Sequence, residues 1–437
     1  VDELTDKWSD NDYWGGRQPF THIWHKLITE WIKRDRNRPS IILWSLGNEL
    51  QIREGWAGFE GTNDWGITTY NIFNQLVKRW DHTRLTTVAM FPARAGAITR
   101  HDKEFNDYLV PPELACATEV ASFNYQSDKY DVYLKYRPDL ILFQSEAETS
   151  NLLQPYYNMD RKRTVGMAYW GSAEYWGESN KWPKKGWNYS FFGHTMRPYP
   201  QAYLIKSAFM PEIPEVHIGV VDAAGAESVS WNDVVVGRMA LNECWNHTPG
   251  SRQSLFAFTN AHSVELLVNG QSMGVQENDT TQANRRNMIY WKDVPYGNGG
   301  SVVAIARDKS GKEVARHHIE TAGKAVALRI EAETPADWKA DGMDLQYINV
   351  TAIDKKGRPV WDYNKPLTLQ MEGVARLVAL DNGDHYTDEL FHGITSKRMY
   401  QGRMQIILRS DQKAGNVMVK VFSAGLKGTL RLKTINE

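Results

Sequence analysis

Arg34-Asp35-Arg36-Asn37-Arg38-Pro39-Ser40-Ile41-Ile42-Leu43-Trp44-Ser45-Leu46-Gly47-Asn48-Glu49 is the stretch whose reading decides the fold. Its run Ile41-Ile42-Leu43-Trp44 is short and apolar on both faces, as a strand buried on both sides requires. It leads to a Gly turn, after which Asn48 and Glu49 are presented together. Upstream, Ile23, Trp24, Leu27, Ile28, Trp31 and Ile32 form one apolar stripe at helical spacing, so a helix precedes the strand. Pro138-Asp139-Leu140-Ile141-Leu142-Phe143-Gln144-Ser145-Glu146 repeats the pattern, with a carboxylate where an apolar strand stops. Further runs lie at Leu85 to Met90, Glu119 to Phe123 and Thr164 to Trp170, and a second helix spans about Trp65 to Trp80. Strands alternating with helices imply a parallel sheet covered by helices, as in a (β/α) barrel, whose active face lies at the C-terminal strand ends.

Two carboxylates at such ends point to glycoside cleavage. That chemistry needs one carboxyl group to protonate the leaving oxygen and a second, ionised, to attack the anomeric carbon. Glu49 suits the acid/base role, because desolvation on a Trp-rich rim raises a carboxyl pKa. Glu146 suits the nucleophile, with Asn48 and Tyr125 as hydrogen-bond partners. A single Glu at a strand end is more often a salt-bridged surface residue; two, each after a buried strand, weaken that explanation. Glu148 competes with Glu146 for the nucleophile and reads as a loop carboxylate. If the reaction retains configuration, the carboxyl groups lie about 5–5.5 Å apart.

Beyond Pro211-Glu212-Ile213-Pro214 the pattern becomes period-two strands with tight turns. Val264 to Val268 runs into Asn269-Gly270, a hairpin signal, and a second β module begins near Lys324, with strands at Ala327 to Glu331 and Tyr347 to Ile353 and a turn at Lys356-Gly357. The predicted class is therefore α/β plus all-β. Residues 1–211 form part of a barrel, and 212–322 and 323–437 form two immunoglobulin-like β-sandwiches. The 437 residues carry a formal charge of −1, which advertises neither a nucleic-acid nor an anionic-membrane partner, and no apolar run is long enough to span a bilayer. The 17 Trp and 20 Tyr suit the C–H faces of sugars, although core packing accounts for most single Trp residues. Cys116 and Cys244 read as buried small hydrophobes, not a disulfide or a metal pair. His22, His25, His82 and His101 lack metal-ligand spacing, and Asp381-Asn382-Gly383-Asp384 reads as a β-turn rather than a calcium loop.

The Arg-Asp-x-Asn-x-Pro-Ser…Trp-Ser-x-Gly-Asn-Glu run of residues 34–49 resembles the acid/base signature of glycoside hydrolase family 2, the β-galactosidase and β-glucuronidase family. Asn124-Tyr125 ahead of the Pro138-to-Glu146 strand resembles it too, as does Trp170 followed by Tyr175-Trp176-Gly177-Glu178. The resemblance implies a (β/α)₈ TIM barrel with the acid/base on strand four and the nucleophile on strand seven. Glu49 ends the first complete strand here and Glu146 the fourth, so the offset of three agrees. This chain then resembles the C-terminal part of a longer enzyme, with strands about four to eight and Val1-Asp2-Glu3 as the tail of the third. A companion segment or chain is expected to complete the barrel.

By the same resemblance Asn48 binds the sugar 2-hydroxyl, Tyr125 contacts the nucleophile, Trp170 floors the sugar subsite, and Asn124 and Glu178 join the substrate-binding set. Asp2 and Glu3 either line the pocket or are bystanders. The expected activity is a cofactor-free, retaining exo-β-glycosidase on an oligosaccharide or simple glycoside, β-galactosidase-like, in a periplasmic or secreted setting. Alternatives are β-glucuronidase, β-mannosidase or modified-glycan specificity, a non-catalytic carbohydrate-binding protein, or the inactive half of a split enzyme. Two departures bear on specificity. The family usually has Asp where Glu174 stands. The segment Phe192-Gly193-His194-Thr195-Met196-Arg197-Pro198 lacks both the Asp and Gly of β-galactosidases and the Asn-x-Lys of β-glucuronidases. Lys181, Lys184, Lys185 and Arg197 crowd this stretch and read as a solvated basic loop, a sulfated or uronate sugar being the other explanation.

Overall fold

The computed structural model describes residues 1–5, 7–8, 18–50, 66–91, 111–148, 153–179, 182–222 and 240–436, with backbone alone for 227–231 and 234–238. The chain divides into two compact units. One comprises Val1–Trp170 with Ser228–Gly237, the other Gly171–Glu227 with Arg238–Glu437.

In the first unit six strands pair in chain order into one sheet: β1 (Asp2–Glu3), β2 (Leu43–Asn48), β3 (Leu85–Met90), β4 (Val120–Asn124), β5 (Leu142–Ala147) and β6 (Thr164–Tyr169). Every pairing is parallel. Among the described residues the α-helices are α1 (Phe20–Asp35), α2 (Ile67–Trp80), α3 (Glu113–Ala117), α4 (Tyr130–Tyr136) and the single turn α5 (Gln154–Tyr157). This is part of a TIM barrel, as the alternation of strands and helices predicts. Asp2 pairs with Trp44 and Glu3 with Ser45, so these two residues form a short strand alongside β2. The core beneath the sheet joins Trp31, Ile32 and Ile28 of α1 to Tyr70, Phe73 and Val77 of α2 and to Trp44, Val88 and Phe123. Trp31 packs edge-on against Trp44, and Phe73 against Trp8.

Gly47 does not form the turn expected of it. It lies inside β2, and a Cβ there would come within 2.6 Å of the Trp8 indole nitrogen. That nitrogen donates to the Leu46 carbonyl at 2.6 Å, so the glycine makes room for a ring laid across the strand.

In the second unit α6 (Pro200–Phe209) precedes two β modules. The first has a sheet ordered Leu241–Asn242, Val216–Val221, Arg252–Thr259, Met288–Pro295 and another ordered Gln271–Glu277, Ser263–Val268, Ser301–Arg307, Glu313–Glu320. Val216, Ile218, Leu255, Val264, Leu266 and Val302 from both sheets share one core. Asn269 and Gly270 adopt φ of 50° and 81°, the left-handed pair that a two-residue hairpin demands. In the second module Leu345–Ile353 and Arg403–Ser410 pack across from Pro366–Gly373 and Gly415–Ser423, around Ile348, Ile406, Leu367 and Val419. Both cysteines are free and half-buried, a more open setting than expected.

Candidate active site

The site is built at the C-terminal ends of β2, β4 and β5. The β2–β3 register slips between Ser45 and Asn48, and the β4–β5 register between Phe123 and Asn124. Such irregularities re-aim the side chains that follow them. Just beyond β2 and β4 stand Glu49, at φ 47°, and Tyr125, at φ 58°, both in the left-handed region. Each is anchored through its amide, Glu49 N–H donating to the Ala89 carbonyl at 2.7 Å and Tyr125 N–H to the Glu146 carbonyl at 2.9 Å.

The side chains then converge. Asn124, fully buried, donates to Asn48 Oδ1 at 2.9 Å and to Glu49 Oε1 at 3.1 Å, and accepts from Ser145 Oγ at 2.7 Å. The Tyr125 hydroxyl donates to Glu146 Oε2 at 2.5 Å. Beneath them Thr87 donates to the Val120 carbonyl, so its 2.5 Å contact with Ser122 has Ser122 as donor. Asn124 thus joins Asn48 to Glu49, and Tyr125 is joined to Glu146. Asn48 differs in detail from the sequence reading, since its Oδ1 accepts from Asn124.

Burial pushes the Glu146 carboxyl up to about 8, and the charge of Glu49 pushes in the same direction. The Tyr125 hydrogen bond and the Lys7 ammonium pull it down, while Glu3 adds to the rise. Burial is the larger cause and the Glu49 charge the smaller, and the Tyr125 hydroxyl is the partner that favours the Glu146 anion against both. The Tyr125 phenol is driven far above its ordinary value by burial and by Glu146, so it stays a donor.

Lys7 and Ser145 escaped the sequence reading. Lys7 is buried and donates to the Asn48 carbonyl at 2.9 Å. It stands 41 residues from Asn48 in no motif, and only the fold reveals it. Asp2 accepts from the Trp31 indole and Glu3 from Ser45 Oγ, so both are held in place by the barrel wall. Glu148 is buried just past β5, and its charge acts on Tyr125.

Residues 11–164 match the TIM barrel domain of glycosyl hydrolases family 2, and residues 328–430 match glycoside hydrolase family 2 C-terminal domain 5. The chain belongs to glycoside hydrolase family 2. Residues 250–315 of this family 2 chain match a domain of unknown function. A β-galactosidase of Bacteroides ovatus is 24% identical over 98% of the chain and 53% of its own length. A β-glucuronidase of Formosa agariphila is 24% identical over 53% of the chain and 20% of its own. A solved family 2 structure from Bacteroides cellulosilyticus superposes with a TM-score of 0.79 at 24% identity, over 95% of this chain and 52% of that one. The family 2 chain spans about half the length of the relatives that it matches end to end.

Trp170 closes β6, its amide donating to the Ala147 carbonyl at 3.0 Å, and its side chain is half-buried. Glu178 lies in the second unit, exposed, with its carboxylate accepting from the Tyr175 hydroxyl. The loop read as solvated and basic is not solvated at its centre. Lys184 is buried against Asn188 at 3.0 Å, Lys185 donates to the Thr387 carbonyl, and Arg197 pairs with Glu243 at 3.5 Å over the Trp361 ring. Lys181, like His101, lies outside the described residues. His22, His25 and His82 are exposed.

Proposed function

We propose that this family 2 chain carries the catalytic pair of a retaining exo-β-glycosidase, with β-galactosides as the first substrate class. Glu146 attacks the anomeric carbon while Glu49 protonates the departing oxygen; Glu49 then takes a proton from water, which hydrolyses the glycosyl-enzyme. The observation that carries this reading is the coupling of Glu49 and Glu146, with Asn124 holding one and the Tyr125 hydroxyl the other. Asn48, beside Glu49, is placed in the reading as the 2-hydroxyl contact, and Trp170 as the subsite floor. The Bacteroides ovatus relative named as a β-galactosidase supports the choice of glycone. A β-glucuronidase reading has the Formosa relative in its favour, and the missing Asn-x-Lys against it.

We further propose that strands supplied from outside this sequence pair along the edges of β1 and β6, which meet no further strand among the described residues, to close the barrel. A periplasmic or secreted setting goes with a glycan-degrading role.

The test is hydrolysis of a panel of nitrophenyl β-glycosides, with Glu49→Gln and Glu146→Gln as controls. Hydrolysis of the galactoside that falls by about 10²–10⁴-fold in both variants supports the reading. Turnover that survives Glu146→Gln, or a product of inverted configuration, sinks it.

A further inference from the structure

The second unit holds a cluster of side chains that the glycosidase reading does not use. Glu174 Oε2 lies 3.0 Å from His385 Nε2 and 3.8 Å from His194 Nδ1, and the two ring nitrogens are 3.2 Å apart. All three side chains are almost wholly buried. They come from the segment after Trp170, from the chain just before α6, and from the turn that follows Ala375–Asp381 in the second sandwich. We propose that Glu174, His194 and His385 form a binding site for a zinc-class divalent transition metal.

The distances are those of a coordination shell. Donors about 2.0–2.1 Å from a tetrahedral metal stand about 3.3–3.4 Å from one another, and the three separations here bracket that value. The atoms around the cluster fix the chemistry of each donor. His194 Nε2 meets Asp381 Oδ1 at 2.8 Å, which keeps the proton on Nε2 and leaves the Nδ1 lone pair directed into the cluster. The Tyr199 hydroxyl donates to Glu174 Oε1 at 2.9 Å, so the other carboxylate oxygen faces the imidazoles. His385 Nδ1 faces Gly186 and has no hydrogen-bond partner among the described residues, so Nε2 is the polar end that His385 turns to the cluster.

Without a metal, the His194 Nδ1 lone pair and the Glu174 carboxylate compete for the single proton on His385 Nε2, which moves to Nδ1 when Nε2 binds a cation. A divalent cation satisfies all three donors at once. Two imidazoles and one carboxylate select zinc, cobalt or nickel over calcium or magnesium. A fourth position is open on the side of the cavity lined by Gly193, Thr195, Asn382 and Asp384. Trp176 lies across both imidazoles, 5.0 Å from His194 and 5.2 Å from His385, and shields the other side. Glu174 and the segment bearing His194 are also the two places where the sequence departs from the family pattern.

A second group, His217, Glu243 and His317, also places its ligand atoms within 4.8 Å of one another. There His217 and His317 stack ring on ring at 3.9 Å, His217 Nε2 meets Glu243 Oε1 at 2.8 Å, and His317 Nδ1 accepts from the Ile218 amide. Ion uptake that survives loss of both His194 and His385 is assigned to that group.

The experiment uses the whole chain, stripped with EDTA and titrated with Co²⁺. The expected result is about one ion per molecule with the intense visible absorption of tetrahedral cobalt, displaced by Zn²⁺. His385→Gln and Glu174→Gln lower affinity by about 100-fold or more, and Asp381→Asn, which removes no donor, by about 10–100-fold. Circular dichroism confirms the fold of each variant. The wild-type titration decides by itself where a variant misfolds. Absence of stoichiometric uptake by the wild type overturns the proposal and leaves a hydrogen-bonded clamp. Uptake unchanged in the His194→Gln/His385→Gln chain places the ion elsewhere and overturns it too.

Discussion

At Glu49 and Tyr125 the backbone is held at φ values that cost non-glycine residues about 1–3 kcal/mol each. The strain sits on two side chains that meet the carboxylate pair, and tight amide hydrogen bonds maintain it. Tyr125→Phe removes a donor that favours the Glu146 anion, so Glu146 ionises at higher pH. The acid limb of the kcat/KM profile, which reports ionisation of the nucleophile, is expected to move upward, with kcat reduced about tenfold or more. A pH profile of both proteins checks it; an unmoved acid limb removes Tyr125 from the role. Gly47→Ala is a separate prediction. Its methyl group collides with Trp8, and thermal melts should show a loss of about 1–3 kcal/mol.

Elements were legible in the sequence where one local rule decided them. Leu85–Met90 is a strand over the same residues that its apolar run marks, and α1 buries the Ile28, Trp31 and Ile32 stripe. The Asn269-Gly270 turn needed only its dipeptide. Gly47 misled because a glycine after an apolar run marks a turn as readily as a close approach, and Trp8 is invisible from within the strand. Lys184 and Arg197 misled because charge density in a loop does not reveal a buried Asn188 or a Trp361 ring. Local chemistry also fastens the β2–β3 connection. Asp81 accepts from the Trp44 indole at 2.9 Å, from Thr83 at 2.6 Å and from Arg84 at 2.7 Å. Burial alone would raise its pKa, but these donors outweigh burial and hold it well below the usual carboxylate range. A depressed folded-state pKa stabilises above the unfolded value of about 4 and is lost as pH falls below it. Asp81→Ala is therefore expected to cost about 1–3 kcal/mol at pH 7 and progressively less in acid. Denaturant melts at pH 7 and pH 3 check it, and an equal loss at both excludes linkage through this carboxylate.

For the whole molecule, the buried residues fall into separate clusters for the barrel unit and for each sandwich. Calorimetry is expected to resolve more than one transition. Ile406→Ala, in the second sandwich, should lower a single transition by about 2–5 kcal/mol and leave the others in place. A uniform shift of all transitions contradicts this separation. The offset of three strands between Glu49 and Glu146 was legible because alternating strands and helices can be counted. Lys7 and the partnership of Glu174 with His385 were not, because no local pattern links residues so far apart. The contact between Glu174 and His385 crosses 211 residues of chain. A ribosome adding about 5–20 residues per second takes roughly ten to forty seconds over that interval. For all that time the loop after Trp170 is already synthesised while its imidazole partner does not yet exist. The nascent chain therefore carries Glu174 with this partnership unmade until His385 has been added.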